Sequence, residues 1–282
     1  MLRIRTHADV RAFLARAEPW LLDAEQRYGL LLGVAYQVLG GAHRYRQPIY
    51  WATVEKETDD GSASIVGCAF RTPPHQVGVT DLPDDAIEPL VSSLRETYLS
   101  LPGVGGPERT ASAFANAWTS RFGGRWLVEH RQRLHSLTTV RRPSEPAAGA
   151  LRLALPPDLP VARAWMAGFI HDAGVRYVGA DAVGRLIEER RLYFWVDEQP
   201  RCMLGAVRDT PNTTGIAGVY TPPPFRNRGY ASIAVATLSR RLLAAGKRSC
   251  FLYTDLANPV SNSVYRRVGY EPIDDVVDLT IL

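Results

Sequence analysis

The stretch Gly218-Val-Tyr-Thr-Pro-Pro-Pro-Phe-Arg-Asn-Arg-Gly-Tyr-Ala231 decides the fold. An apolar, strand-like run from Gly215 to Tyr220 enters a Pro/Arg/Gly loop, which passes directly into a segment from Tyr230 to Ala245. Its apolar residues Ala231, Ala234, Val235, Leu238, Leu242 and Ala245 recur at helical spacing, and Gly246 ends the run. At such a junction the first helical N–H groups lack partners within the helix, with the positive end of the helix dipole behind them. That geometry binds phosphate. Gly229 lets the backbone approach closely, Ala231 is small, and Arg226 and Arg228 add fixed charge with forked donors suited to a diphosphate. The alternative is an ordinary strand-to-helix turn. The spacing is neither that of a P-loop nor G-x-G-x-x-G. Pro222-Pro223-Pro224 has no N–H donors and fixed φ, so it either stiffens the approach or forms a plain surface turn.

Reading outward, the second half predicts an α/β unit. Leu151 to Leu155 alternates like a strand, Val161 to His171 has helical spacing, and Asp181 to Arg190 forms a short helix with Asp181 as its N-cap candidate. Leu192–Val196 and Cys202–Val207 are strand-like, parted by the turn Asp197-Glu198-Gln199-Pro200; a second turn, Thr210 to Thr213, precedes the strand ending at Tyr220. After the long helix come a buried strand at Cys250–Tyr253, a helix at Val260–Arg267 stopping at Gly269, and a terminal strand at Val276–Leu282.

The length of 282 residues suits two domains of about 140 residues. A Pro/Ala/Gly stretch, Arg141 to Ala150, divides the chain into an expected first domain 1–140, a linker 141–150 and a second domain 151–282. Weak echoes cross the linker in the same order. Gly67-Cys-Ala-Phe-Arg-Thr-Pro matches Gly205-Ala-Val-Arg-Asp-Thr-Pro, Asn116…Arg121-Phe-Gly123 matches Asn262…Arg267-Val-Gly269, and Ser136–Val140 matches Asp278–Leu282. Together they predict a duplicated domain. The first half has no counterpart of the phosphate loop; it reads Val79-Thr-Asp-Leu-Pro-Asp-Asp85, whose acids would repel a diphosphate.

Arg226-x-x-Gly229-x-Ala231 after an apolar strand resembles the [QR]-x-x-G-x-[GA] signature of the GNAT superfamily of acetyltransferases. The segment Thr254 to Tyr270 resembles that family's second motif, with Asn258 after a strand, Tyr265 seven residues later and a helix closing in Gly269-Tyr270. The resemblance implies an α+β fold in tandem, each copy a mixed, largely antiparallel sheet flanked by helices, with acetyl-coenzyme A in a cleft between two splayed parallel strands. Those strands would be Gly215–Tyr220 and Ser249–Thr254. It further implies that Val219 and Thr221 pair with the pantetheine amides, and that Arg226, Asn227, Arg228, Gly229, Tyr230 and Ala231 hold the pyrophosphate. Asn258 would meet the pantetheine arm, and Tyr265 would be the general acid for the leaving thiolate; core packing is the other role open to Tyr265. The reaction implied is direct attack of a primary amine of a small molecule or peptide on the thioester, with no metal. The second half is also similar to the glycine N-acyltransferase type, in which an amino acid is acylated.

No acid or histidine lies on Thr213–Tyr220 to serve as base, so Glu188, Glu189, Asp255 or a water relay remain candidates, and His171 reads as structural. That gap favours the alternative of a non-catalytic acyl-coenzyme A sensor or scaffold. Composition narrows the rest. Hydrophobic residues at 46% exclude a mainly disordered chain. Of 33 basic residues only Lys56 and Lys247 are lysine. A split at Ala150 leaves net charges of about +1 and +3, neither of which makes a nucleic-acid patch. Three scattered cysteines, Cys68, Cys202 and Cys250, read as buried free thiols in a reducing compartment. The longest apolar stretch, Gly29 to Gly40, falls short of the roughly 20 residues that span a bilayer, and the N-terminal residues carry no apolar signal core. The expectation is a cytoplasmic protein without a membrane partner, with a homodimer left open.

Overall fold

In the computed structural model the described residues are 2–282 apart from 42–44, 46, 60, 142, 144–146 and 175–180, together with all but the side chain of residue 260. Four residues of the expected linker, 142 and 144–146, lie outside them. In chain order the elements are β1 (Leu2–Thr6), α1 (Val10–Leu22), α2 (Gly29–Leu39), β2 (Tyr50–Glu57), β3 (Ala63–Arg71), β4 (Val77–Val79), α3 (Ile87–Thr97), β5 (Gly103–Pro107), α4 (Glu108–Phe122) and β6 (Trp126–Leu137). They continue with β7 (Ala150–Leu153), α5 (Leu159–Ala173), α6 (Ala182–Glu188), β8 (Leu192–Asp197), β9 (Gln199–Val207), β10 (Thr213–Tyr220), α7 (Tyr230–Ala244), β11 (Ser249–Asp255), α8 (Pro259–Val268) and β12 (Glu271–Ile281). Two compact units emerge. One comprises Met1–Leu134, Asp255–Ala257 and Ile273–Leu282; the other comprises His135–Thr254 and Asn258–Pro272.

In the first unit the strand order is β1-β2-β3-β4-β5-β12-β6. β1 to β4 are antiparallel neighbours, β4 and β5 are parallel, and β12 pairs antiparallel with β5 from Val276↔Pro107 to Thr280↔Gly103. Alternation along β2 sorts the core, as a pleated strand requires. Trp51 turns towards α1 and α2, where it stacks on Phe13 at 5.1 Å and Phe70 at 5.9 Å. Its neighbours Tyr50, Ala52 and Val54 turn to the other face, against Leu90, Leu94, Phe114 and Trp118 of α3 and α4. Val277 and Leu279 of β12 belong to that core.

The second unit orders its strands β11-β10-β9-β8-β7. β7 to β10 are antiparallel neighbours, whereas β10 and β11 run parallel. Cys202, Leu204, Ile216, Cys250 and Leu252 face α7 and α8, while Leu192, Phe194 and Met203 face α5 and α6. Each unit is thus a mixed, largely antiparallel sheet between helices. The sequence echoes fall at matching places: Gly67 and Gly205 in β3 and β9, Gly123 and Gly269 just past α4 and α8, and the third pair at the ends of β6 and β12.

Several elements run longer than hydropathy alone marks out, as with β11 and β12, and one local expectation fails. Asp181 stands at the N-cap position of α6 yet makes no capping hydrogen bond. Its backbone is left-handed, at φ 53, and its carboxylate pairs with Arg163 at 3.0 Å instead. The turn at Asp197–Pro200 is tighter than expected: Asp197 pairs with Gln199, leaving Glu198 alone at the tip with φ 60. Cys68, Cys202 and Cys250 are free and buried, and burial pushes the thiols of Cys202 and Cys250 up to about 12. Among the described residues no helix is long and apolar enough to cross a membrane.

Candidate functional site

The site is built from the parting of β10 and β11. Their parallel pairing runs from Thr213↔Ser249 to Gly215↔Phe251 and stops. On its other edge β10 carries a bulge against β9: Ala217 pairs with Gly205 and Tyr220 with Met203, so Gly218 and Val219 oppose Leu204 alone. Gly218 takes φ 62 there, a conformation that glycine supplies without the steric cost of a Cβ. A bulge bends its strand and increases its twist. The edge of β10 beyond Gly215, which includes Val219, therefore has no partner on β11, and the expected splay is present.

Beyond Tyr220 the chain forms a single 3-10 turn, Pro223–Phe225, and then Arg226 to Gly229. Asn227 and Gly229 are left-handed, at φ 60 and φ 76. Gly229 is the N-cap of α7, no side chain caps it, and no acidic residue lies in the first turn. The first amides of α7 are thereby left to an external acceptor. Asn227, Arg228 and Gly229 are exposed, Ala231 is half-buried and Tyr230 is buried. The expected pyrophosphate ligands thus lie together at one helix end.

Two expected ligands have local duties as well. Arg226 donates from Nε to the Thr221 carbonyl at 3.0 Å, and its guanidinium is paired with Asp172 at the end of α5. Asp172 also bonds His171 Nδ1 at 3.0 Å, and these contacts hold its carboxyl below the usual carboxylate range. Asn258 caps α8, its Oδ1 accepting from the Ser261 amide at 3.0 Å.

Tyr265 lies on the inner face of α8, 8% exposed, with its ring edge-on to Tyr270 at 6.0 Å. Burial pushes its phenol up to about 12, within electrostatic range of the Cys202 thiol; that thiol in turn lies against Thr221 and Tyr220 at the end of β10. Tyr265 and the end of β10 are thus neighbours across Cys202. Glu188 and Glu189 are exposed at the end of α6. Asp255 is exposed, and its carboxylate accepts from the Ala257 amide at 2.8 Å, closing the loop after β11. Among the described residues no group of three or more His, Cys, Asp or Glu side chains could hold a metal ion.

Sequence reasoning missed a polar chain beside this site. Thr254 Oγ1 donates to Asn262 Oδ1 at 2.6 Å, so the 3.1 Å contact from His135 Nε2 must be donated by the imidazole. Asn262 Nδ2 donates in turn to the Asn258 carbonyl at 2.9 Å. β6, β11 and the start of α8 are tied together through it. Thr254, Asn258 and Asn262 lie within the second motif, but no short motif announces His135, 119 residues before Thr254.

In the first unit the corresponding strands stay together. After Val77↔Val104 and Gly78↔Gly105, a Cβ on Gly106 would stand 2.4 Å from the Val79 carbonyl oxygen. The start of α3 carries Asp84, Asp85 and Glu88, and Arg109 bonds Asp84 and, at 2.6 Å, the Leu82 carbonyl.

A parallel strand pair that opens at a bulge, followed by an uncapped helix, is the arrangement expected from the GNAT resemblance, and solved GNAT acetyltransferases share this fold. Residues 196–277 match the family described as FR47-like protein. An X-ray structure of a Drosophila protein is similar to this chain with TM-score 0.69 at 13% identity, covering 99% of this chain and 98% of the other. A GCN5-related N-acetyltransferase from Sphaerobacter thermophilus gives 0.59 at 16% identity, covering 99% and 96%. A tandem GNAT protein from the clavulanic acid biosynthesis pathway gives 0.53 at 11% identity, covering 100% and 98%. No curated protein sequence matches the chain.

Proposed function

We propose that the chain is an acetyltransferase in which the part from Leu151 onward takes acetyl-coenzyme A and passes the acetyl group to a primary amine of a small molecule or peptide. The observation that carries this reading is the meeting of parted strands, β10 and β11, with the start of α7, which no side chain caps and whose first turn holds no acidic residue. The first 140 residues are read as a copy without a donor site, since β4 and β5 remain in contact and the acids at α3 already satisfy that helix dipole. A cytoplasmic location goes with this reading, given three free thiols and a donor of that compartment.

The residues suit the donor as follows. The free edge of β10 at Val219 and the Thr221 amide would pair with pantetheine amides. Gly229, Tyr230 and Ala231 would present N–H groups to the diphosphate, with Arg226, Asn227 and Arg228 around them. Asn258 stands on the opposite wall. A neutral amine attacks the thioester carbonyl; the C–N bond forms, the C–S bond breaks, and the amine proton leaves to water. Holding both reactants together supplies most of the acceleration. Tyr265 faces the leaving sulfur. A phenol held near 12 is a weaker acid than a thiol of about 8.5, so Tyr265 stabilises the departing thiolate by donating a hydrogen bond rather than by giving up its proton for good.

Calorimetric titration with acetyl-coenzyme A, followed by thiol release over a panel of small amines, tests the proposal. Failure to bind overturns it. Binding without thiol release from any amine favours the second reading, a sensor or scaffold, which fits the lack of an acid or histidine on Thr213–Tyr220.

A further inference from the structure

The turn between β8 and β9 touches the proposed donor loop at two points that neither motif contains. From one side, Tyr230, the first residue of α7 and 7% exposed, donates its phenol proton to Asp197 Oδ2 at 2.6 Å. From the other, the Arg201 guanidinium lies 4.5 Å from the centroid of the Phe225 ring, in the 3-10 turn that opens the loop. Arg201 is itself held: Nε donates to the Asp197 carbonyl at 3.0 Å, and its side chain is only 12% exposed. The two contacts therefore converge on one residue, Asp197, and grip the loop at both ends, Phe225 before and Tyr230 after Arg226–Gly229.

The electrostatics make this arrangement costly for an anion site unless it has a purpose. A carboxylate beside the start of a helix occupies the position a phosphate would favour, and it repels a diphosphate. Here the carboxylate is engaged by a phenol, while Arg201 holds the backbone carbonyl of the same residue and its guanidinium lies 4.0 Å from the Glu198 carboxylate. In between, Arg226 is tied to the Thr221 carbonyl and to Asp172, whereas Asn227 and Gly229 take left-handed conformations, which for Asn227 carry a cost and must be held in place by its surroundings. An unpinned loop of this kind would have to be ordered by each incoming ligand, at a cost in affinity.

We propose that Asp197 and Arg201 are positioning residues for the donor site: from the β8–β9 turn they fix Tyr230 and Phe225, and so hold the α7 amides and the intervening loop in the conformation that receives a diphosphate. The inference rests on the donor-site reading given above. It predicts that donor affinity depends on a hydrogen-bond acceptor at position 197, not on charge there.

Calorimetric titration of the full chain with coenzyme A tests this. Asp197→Ala and Tyr230→Phe should each weaken binding by up to about tenfold, the scale of one lost hydrogen bond, and the double variant should be no weaker than either. Asp197→Asn, which keeps the acceptor oxygen, should restore affinity to near wild type. Arg201→Ala should weaken binding similarly and Arg201→Lys should recover part of it. Tighter binding by Asp197→Ala would mean that the carboxylate merely repels the ligand, and overturns the proposal. So does unchanged binding in Tyr230→Phe, which loses a single hydroxyl and leaves the core packed, or a failure of Asp197→Asn to recover what Asp197→Ala loses. Absence of coenzyme A binding in the wild-type chain is a different result: it removes the donor site itself.

Discussion

Gly229→Glu separates the donor site from the fold that carries it. Gly229 stands at φ 76 and ψ 0 directly before α7. Any L-residue in that conformation costs about 1 kcal/mol. A carboxylate beside the helix start returns about 0.5 kcal/mol through the dipole. The net loss of stability is therefore under about 1 kcal/mol, and the melting midpoint should fall by only about 2–4 °C. Binding responds on another scale. With an effective dielectric of about 20 and about 5 Å between the new carboxylate and one phosphate charge, the repulsion is about 3 kcal/mol, a loss of more than about a hundredfold. Gly229→Ala isolates the strain, because it adds a Cβ and no charge; its affinity should fall less than about tenfold. Calorimetric titration of the three proteins with acetyl-coenzyme A, beside their melting curves, reads both quantities. Equal losses in the alanine and glutamate variants would refute the reasoning, as would tight binding retained by Gly229→Glu.

Other outcomes follow from the same geometry. Tyr265→Phe should lower turnover by about ten- to a hundredfold with little change in donor affinity, the worth of a hydrogen bond to a developing charge. With the phenol held near 12, the wild-type rate should show no ionisation of this group between pH 6 and 10. Gly106→Val forces a side chain against the Val79 carbonyl and should destabilise the protein by about 2–3 kcal/mol while leaving coenzyme A affinity unchanged, as a melting curve and a titration on the folded protein would report. Asp158 is held below the usual carboxylate range chiefly by its bonds to Arg152, at 2.7 and 2.9 Å. Its folded-state pKa is depressed, so its stabilising contribution is complete above the unfolded value near 3.9 and is lost as pH falls through the folded one; acid unfolding of Asp158→Asn should lack that component. The three thiols should resist an alkylating reagent in the native protein and react on unfolding, as burial raises all three.

What could be read from the residues follows the range of the interactions. The loop was legible because its chemistry is local: a glycine that lets the backbone approach closely, two arginines and a following amphipathic run all lie within twenty residues of sequence, Arg226 to Ala245. The period-two and helical patterns of the second half were legible for the same reason. The contacts that finish the site are different in kind. Arg226 finds Asp172 on another helix, Tyr230 finds Asp197 on a hairpin tip, and His135 reaches Thr254 on a strand far along the chain. Asp197 read as a turn residue, which it is; nothing in its neighbours announces a bond to a tyrosine on α7. Asp181 shows the reverse. Its sequence context is that of a cap, and a positive φ with an arginine in reach overrode it.

The place of β12 bears on how the chain can be made. Its residues Ile273–Ile281 fill the gap between β5 and β6, strands that leave the ribosome long before them. Until then both neighbours expose open edges, the kind of surface that recruits stray strands. The first core also lacks Val277 and Leu279 until β12 has been made. A fragment cut at the boundary suggested by the Pro/Ala/Gly stretch, near residue 140, would lack β12 and leave that core without Val277 and Leu279.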